Sequence, residues 1–176
     1  MNFVTISEKD IKTVFYQQIR ENHIVISISG SEDKETIIPN NPSRLGKLHL
    51  KFDDVEDIVE TYTYFDRGCA KEILEFVEKY CTSVSLIVVQ CKAGLSRSVG
   101  VASALAKIIN GKDDDVFTKG IPNMFVYTTI LDVFFGDPDW SSMYPRISNV
   151  RNRQLAQFLT PAMIRLYSAK NRKRVE

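Results

Sequence analysis

At 176 residues the chain suits one compact domain with a core of its own. Its 44% apolar and 26% charged content are those of a globular protein, and a net charge of +1 gives no overall pull toward nucleic acid. The first residues show no basic segment followed by an apolar run, and no window reaches membrane-span length. Neither a secretory leader nor a transmembrane anchor is therefore expected.

The predicted elements alternate between strand and helix. "NFVTIS" reads as a short strand. Ser7 then reads as an N-cap with Asp10 three residues on, opening a helix with Ile11, Val14 and Phe15 on one face. "HIVISIS", His23 to Ser29, is a β-branched run and reads as a buried strand. Residues 30 to 46 are polar and rich in Gly, Pro and Asn, which predicts a loop. "KLHLKF" alternates and reads as a third strand. From Asp66 to Tyr80, the residues Ala70, Ile73, Leu74 and Val77 fall on one helical face. "SLIVVQ" is a fourth strand. Val101, Ala102, Leu105, Ile108 and Ile109 make the next helix apolar on one side, with Gly111 as its stop. "PNMFVYTTILDVFFG" predicts a last helix from near Pro122 to Gly136. The expected fold is α/β: a central, mainly parallel sheet flanked by helices, with a phosphate-binding loop between a central strand and a helix.

That loop carries the chemistry. It runs from the end of a buried strand at Gln90 to a helix beginning near Ser98, where open α/β sheets place their ligands. If it curls, the backbone N–H groups of Lys92, Ala93, Gly94, Leu95, Ser96 and Arg97 face one point. The helix N-terminus adds partial positive charge, completing an anion nest. Gly94 permits a turn that a side chain hinders. Arg97 offers a planar fork for two phosphate oxygens. Cys91, on the floor of this nest, is placed as a nucleophile toward phosphorus, its thiolate stabilised by the field that holds the anion. Ser98 is placed to hydrogen-bond the sulfur. Cys69 and Cys81 lack such a setting and read as small packed residues.

Cys91-Lys92-Ala93-Gly94-Leu95-Ser96-Arg97-Ser98 resembles the C-x5-R-[ST] motif of the protein tyrosine phosphatase superfamily. The short length and the absence of a long N-terminal half resemble its compact dual-specificity branch, including bacterial and phage-type members. "IPNMFVYTTIL", with Pro122, Asn123 and Val126, resembles the segment after the motif helix, and "LHLKFDDVED" resembles the strand leading to the general-acid loop. The resemblance spans about His23 to Phe135. It implies a cysteine-dependent phosphatase that hydrolyses phosphotyrosine through a cysteinyl-phosphate, with phosphoserine and phosphothreonine left open as further substrates, and with no cofactor and no metal. It makes Asp54 the general acid, with Asp53 the alternative and Asp57 nearby. Asn123 is a supporting residue. The motif usually has His where this chain has Gln90. Gln can brace the loop by hydrogen bonds but cannot become cationic. This keeps open a pseudophosphatase that binds phosphate without hydrolysing it. Lys92 is similar to a residue of the lipid-phosphatase branch, which keeps phosphoinositides and inositol phosphates open.

The remaining features have plainer readings. His23 and His49 lie on separate strands and make no metal site. "KDDDVF" reads as a helix N-terminal charge cluster. Residues 1–145 are expected to form the phosphatase domain. Residues 146–176, with eight Lys or Arg and one Glu, are expected to add a basic helical extension packed on it, with Thr160-Pro161 at the helix start. The expected partner is a phosphorylated protein or small phosphate ester, with no nucleic acid. Three cysteines make no disulfide framework and suit a reducing, cytoplasmic compartment.

Overall fold

The computed structural model describes residues 1–56 and 60–136; Asp57 and the basic extension lie outside them. Four strands form one parallel sheet: β1 (Asn2–Ser7), β2 (His23–Ser29), β3 (Arg44–Lys51) and β4 (Leu86–Cys91), in the order β1-β4-β2-β3. The described helices are α1 (Glu8–Ile11), α2 (Val14–Gln17), α3 (Arg67–Tyr80), α4 (Arg97–Asn110), α5 (Asp114–Phe117) and α6 (Met124–Gly136).

β2 and β4 are buried along their whole length because helices or loops cover both sheet faces, which explains their continuous apolar runs. Side chains nonetheless alternate between the faces. Ile24, Ile26, Ile28, Ile87, Val89 and Cys91 join the core beneath α3, α4 and α6. Val25, Leu86 and Val88 join Ile6, Ile11, Tyr16 and Ile19 in a second cluster on the other face. Cys91 and its neighbour Gln90 therefore point to opposite faces.

The single amphipathic helix expected after Ser7 is instead two short ones. Ser7 does cap the first, accepting from Asp10 N at 3.0 Å. The turn then closes on itself, because Thr13 Oγ1 donates to Asp10 O at 2.6 Å and offers the backbone an alternative to continued helix. Tyr16 becomes the buried residue, while Val14 and Phe15 stay 63% and 57% exposed.

Two further expectations shift. β3 begins at Arg44, inside the expected loop, with a register irregularity at His23/Ile24 opposite Gly46. A Cβ on Gly46 would lie 2.8 Å from the tip of the Tyr80 ring, so a side chain there would have to push that ring aside. α4 is not apolar on one side only: every residue from Arg97 to Ala106 is buried. Its small residues let neighbours close in, and a Cβ on Gly100 would sit 2.7 Å from Asn123 O.

α3 buries Ala70, Ile73, Leu74 and Val77 as expected, capped by Asp66, which accepts from Cys69 N at 2.7 Å. Gly111, at φ 77°, terminates α4. The acidic run opens α5, and Asp113 takes bonds from Lys107 (3.3 Å) and Tyr127 (2.7 Å). His23 is buried between Tyr16 Oη and Glu21 O, and burial holds its pKa below the ordinary value. His49 bonds Ser29 Oγ at 2.7 Å. Among the described residues no group of His, Cys, Asp or Glu is arranged for a metal ion, and no helix is long and apolar enough to cross a membrane.

Candidate active site

The carboxyl ends of β1, β4, β2 and β3 converge on the loop between Cys91 and Arg97. Three neighbours fix this loop from outside by taking its carbonyls. Glu8 N donates to Lys92 O (3.2 Å), Ile121 N to Leu95 O (2.9 Å) and Asn123 N to Ser96 O (3.3 Å). Gly100 N of α4 also donates to Ser96 O, at 2.8 Å. Among the described residues none of the N–H groups from Lys92 to Ser96 donates to backbone. Acceptors engaged outward and donors left over is the arrangement of an anion nest. Gly94 makes the turn at φ 74°, and its Cα packs against the end of β1: a Cβ would lie 2.6 Å from Ser7 N.

Cys91 is 1% exposed, and its Sγ lies 3.1 Å from the fully buried Ser98 Oγ. Arg97 is also buried. Its Nη1 donates to Phe52 O at 2.7 Å, just beyond β3, while its Nε has no hydrogen-bond partner and sits 3.8 Å from Asp54 Oδ2. A buried, unsatisfied guanidinium N–H is costly unless an anion meets it, so the residues present fit a bound oxyanion.

The two adjacent aspartates separate cleanly. Asp53 is tied into the scaffold: it accepts from Ser31 N (2.9 Å), Ser31 Oγ (2.7 Å) and Thr63 N (3.0 Å). Burial opposes its charge, but these bonds and Arg97 outweigh it and hold the carboxyl below its ordinary pKa. Asp54 instead turns to the loop, accepting from Ser96 Oγ (2.8 Å) and Asn123 Nδ2 (2.9 Å).

Other expected site residues stand differently from the sequence reading. Lys92 does not extend its cation over the nest; it pairs with Glu8 at 3.1 Å. Each raises the charged fraction of the other: Glu8 lies below its ordinary pKa because of Lys12 and then Lys92, and Lys92 above its own because of Glu8. Gln90 accepts from Ser27 Oγ at 2.7 Å across β2 and β4, on the face opposite Cys91, so its side chain ties strands rather than bracing the loop. Its Nε2 has no partner. Leu95 is 53% exposed at the loop's crest, and Ala93 is exposed beside it. Burial pushes the Cys69 thiol up to about 11, unsuited to reaction at neutral pH.

Glu8, Ser31, Phe52 and Thr63 were not foreseen as parts of this site. Each acts across long sequence separation or through its backbone, and no local motif marks such contacts. A groove of about 520 Å³ on the outer side of the loop is lined by Ser7, Phe15, Gly94, Leu95 and Lys119 among others, without Cys91.

No family model matches the sequence, and no curated protein matches it. Among solved structures, the chain is similar to a mouse putative dual specificity phosphatase complexed with zinc tungstate. The identity is 15%, over 72% of this chain and 78% of that one, with a TM-score of 0.51. It is also similar to human DUSP28 (13% identity, 73% and 83% of the two chains, TM-score 0.48). A third is the human tyrosine phosphatase-like serine/threonine/tyrosine-interacting protein (19%, 62% and 74%, TM-score 0.45). The four-stranded parallel sheet with its covering helices is the fold shared with that mouse putative dual specificity phosphatase.

Proposed function

We propose that the protein is a cysteine-dependent phosphatase of the compact dual-specificity type, acting on phosphate monoesters of proteins in a reducing, cytoplasmic compartment. The observation that carries this reading is the pairing of Cys91 Sγ with Ser98 Oγ at 3.1 Å beneath a loop that also presents Arg97 Nε, which has no hydrogen-bond partner. Phosphate binds with its oxygens on the loop N–H groups and Arg97. The Cys91 thiolate attacks phosphorus, an S–P bond forms, and the ester P–O bond breaks. Asp54 gives its proton to the departing oxygen. Water then attacks phosphorus while Asp54 takes its proton. The S–P bond breaks, phosphate leaves, and Ser98 donates to the restored thiolate.

The Glu8–Lys92 pair weighs against a multiply phosphorylated inositol, since the cation next to the nest already has an anion. The similar mouse structure holds tungstate, a tetrahedral oxyanion, which agrees with a phosphate-sized site.

The test is turnover of an aryl phosphate with a chelator present, for the wild type and Cys91→Ser. Turnover is expected in the wild type and loss of at least about a hundredfold in the variant. Equal rates, or abolition by the chelator, would overturn the reading. No turnover in either, with tungstate still bound, would make the protein a phosphate-binding pseudophosphatase.

A further inference from the structure

The two carboxylate oxygens of Asp54 have different surroundings. Oδ1 accepts two hydrogen bonds, from Ser96 Oγ at 2.8 Å and from Asn123 Nδ2 at 2.9 Å. Oδ2 lies 3.8 Å from Arg97 Nε, on the side of the nest. The Asn123 amide has no freedom to reverse. Its Oδ1 accepts from Val126 N at 3.0 Å as the cap of α6, and a backbone N–H can only donate. Its NH2 therefore faces Asp54, and it also reaches Val55 O at 3.3 Å. Asn123 is 1% exposed, so no competing solvent loosens this orientation.

The Asn123 NH2 can only donate, so it holds a lone pair of Oδ1, and with the Ser96 hydroxyl donating to the same oxygen the acidic proton is left to Oδ2. We propose that Ser96 and Asn123 are positioning residues that select Oδ2 as the oxygen of Asp54 that delivers the proton. This rests on the phosphatase reading above. In the first step the proton leaves Oδ2 for the ester oxygen as the P–O bond breaks and the S–P bond forms. In the second, Oδ2 receives a proton from the attacking water as the S–P bond breaks. Ser96 belongs to the phosphate loop and Asn123 to the start of α6. The acid is thus registered on the loop that holds its substrate, and a carboxyl without these two donors rotates about its last bond and presents either oxygen.

The experiment compares kcat/KM for phenyl phosphate, a poor leaving group, and 2,4-dinitrophenyl phosphate, a good one. Only the poor leaving group needs its proton in the transition state. Asn123→Ser keeps an oxygen at the α6 cap but is too short to donate to Asp54. Ser96→Ala removes the other donor, and Ser96→Thr returns a hydroxyl. The phenyl-to-dinitrophenyl ratio should fall about tenfold or more in Asn123→Ser and in Ser96→Ala, and recover in Ser96→Thr. If the ratio holds in both variants while Asp54→Asn lowers it, the assignment of Ser96 and Asn123 is wrong and the phosphatase reading stands. If Asn123→Ser fails to fold, the Ser96 pair decides. If the wild type shows no turnover, or Asp54→Asn leaves the ratio unchanged, the reading of the acid fails and this inference falls with it.

Discussion

Gly94 places the strictest backbone demand on the loop. Its φ of 74° suits glycine, and the Ser7 backbone leaves no space for a Cβ. Gly94→Ala is expected to move the loop off β1 and lower stability by about 1–3 kcal/mol. Urea unfolding measures the loss, and tungstate binding should fall with it; a variant that unfolds and binds like the wild type would show that the loop tolerates a side chain. Asp53 makes a different demand, on charge. Its carboxyl is held below the ordinary value of about 4, so the folded state binds fewer protons than the unfolded one in that range. Its contribution is complete above the unfolded value and disappears as pH falls through the depressed folded value. The stability gap between wild type and Asp53→Asn should therefore be full at pH 7 and shrink only below about pH 4. A gap that widens toward acid would contradict this sign.

Between elements, local and distant contacts have separable consequences. The Asp66 cap serves α3 alone, and Asp66→Ala should cost about 1 kcal/mol while leaving turnover per folded molecule intact. Gly100 lies where α4 meets the start of α6, so Gly100→Ala presses on Asn123 O. That variant should lose about 1–3 kcal/mol and, on the proposed mechanism, lower the leaving-group ratio as well, because Asn123 donates to Asp54. A Gly100→Ala variant that loses stability by unfolding but keeps the wild-type leaving-group ratio would show that the α4–α6 contact does not reach the site. This division also explains what could be read from the sequence. α3, β4 and the Gly111 stop were legible because periodicity, β-branching and a left-handed glycine are local signals. The break between α1 and α2 was not, because one threonine bonding back to Asp10 overrode a plausible apolar spacing. Nor was the burial of α4 on all sides, which depends on what α6 lays over it.

For the molecule as a whole, the candidate site divides along the same line. Cys91, Arg97 and Ser98 stand within eight residues, so strand, turn and helix signals place them together without the rest of the fold. Asp54 could not be told from Asp53 by spacing; only the direction of the chain leaving β3 separates a carboxyl facing Ser31 from one facing Ser96. Gln90 was misjudged for a related reason: sheet alternation turns it away from the loop that follows it. The loop is nevertheless held in one shape by β1, α4 and the segment before α6, so little ordering remains to oppose anion binding. An oxyanion binding only the folded state stabilises it by about 2.7 kcal/mol at a hundred times its Kd, or roughly 5–10 °C in Tm for a domain of this size. Tungstate should thus raise Tm in the wild type and in Cys91→Ser, since the N–H groups and Arg97 survive in both. Arg97→Lys should lose most of the shift, because an ammonium cannot reproduce the planar fork now anchored on Phe52 O. Melting curves with and without tungstate for the three proteins decide it. An equal shift in Arg97→Lys would mean the backbone alone holds the anion, and no shift in the wild type would mean the loop is not an anion site.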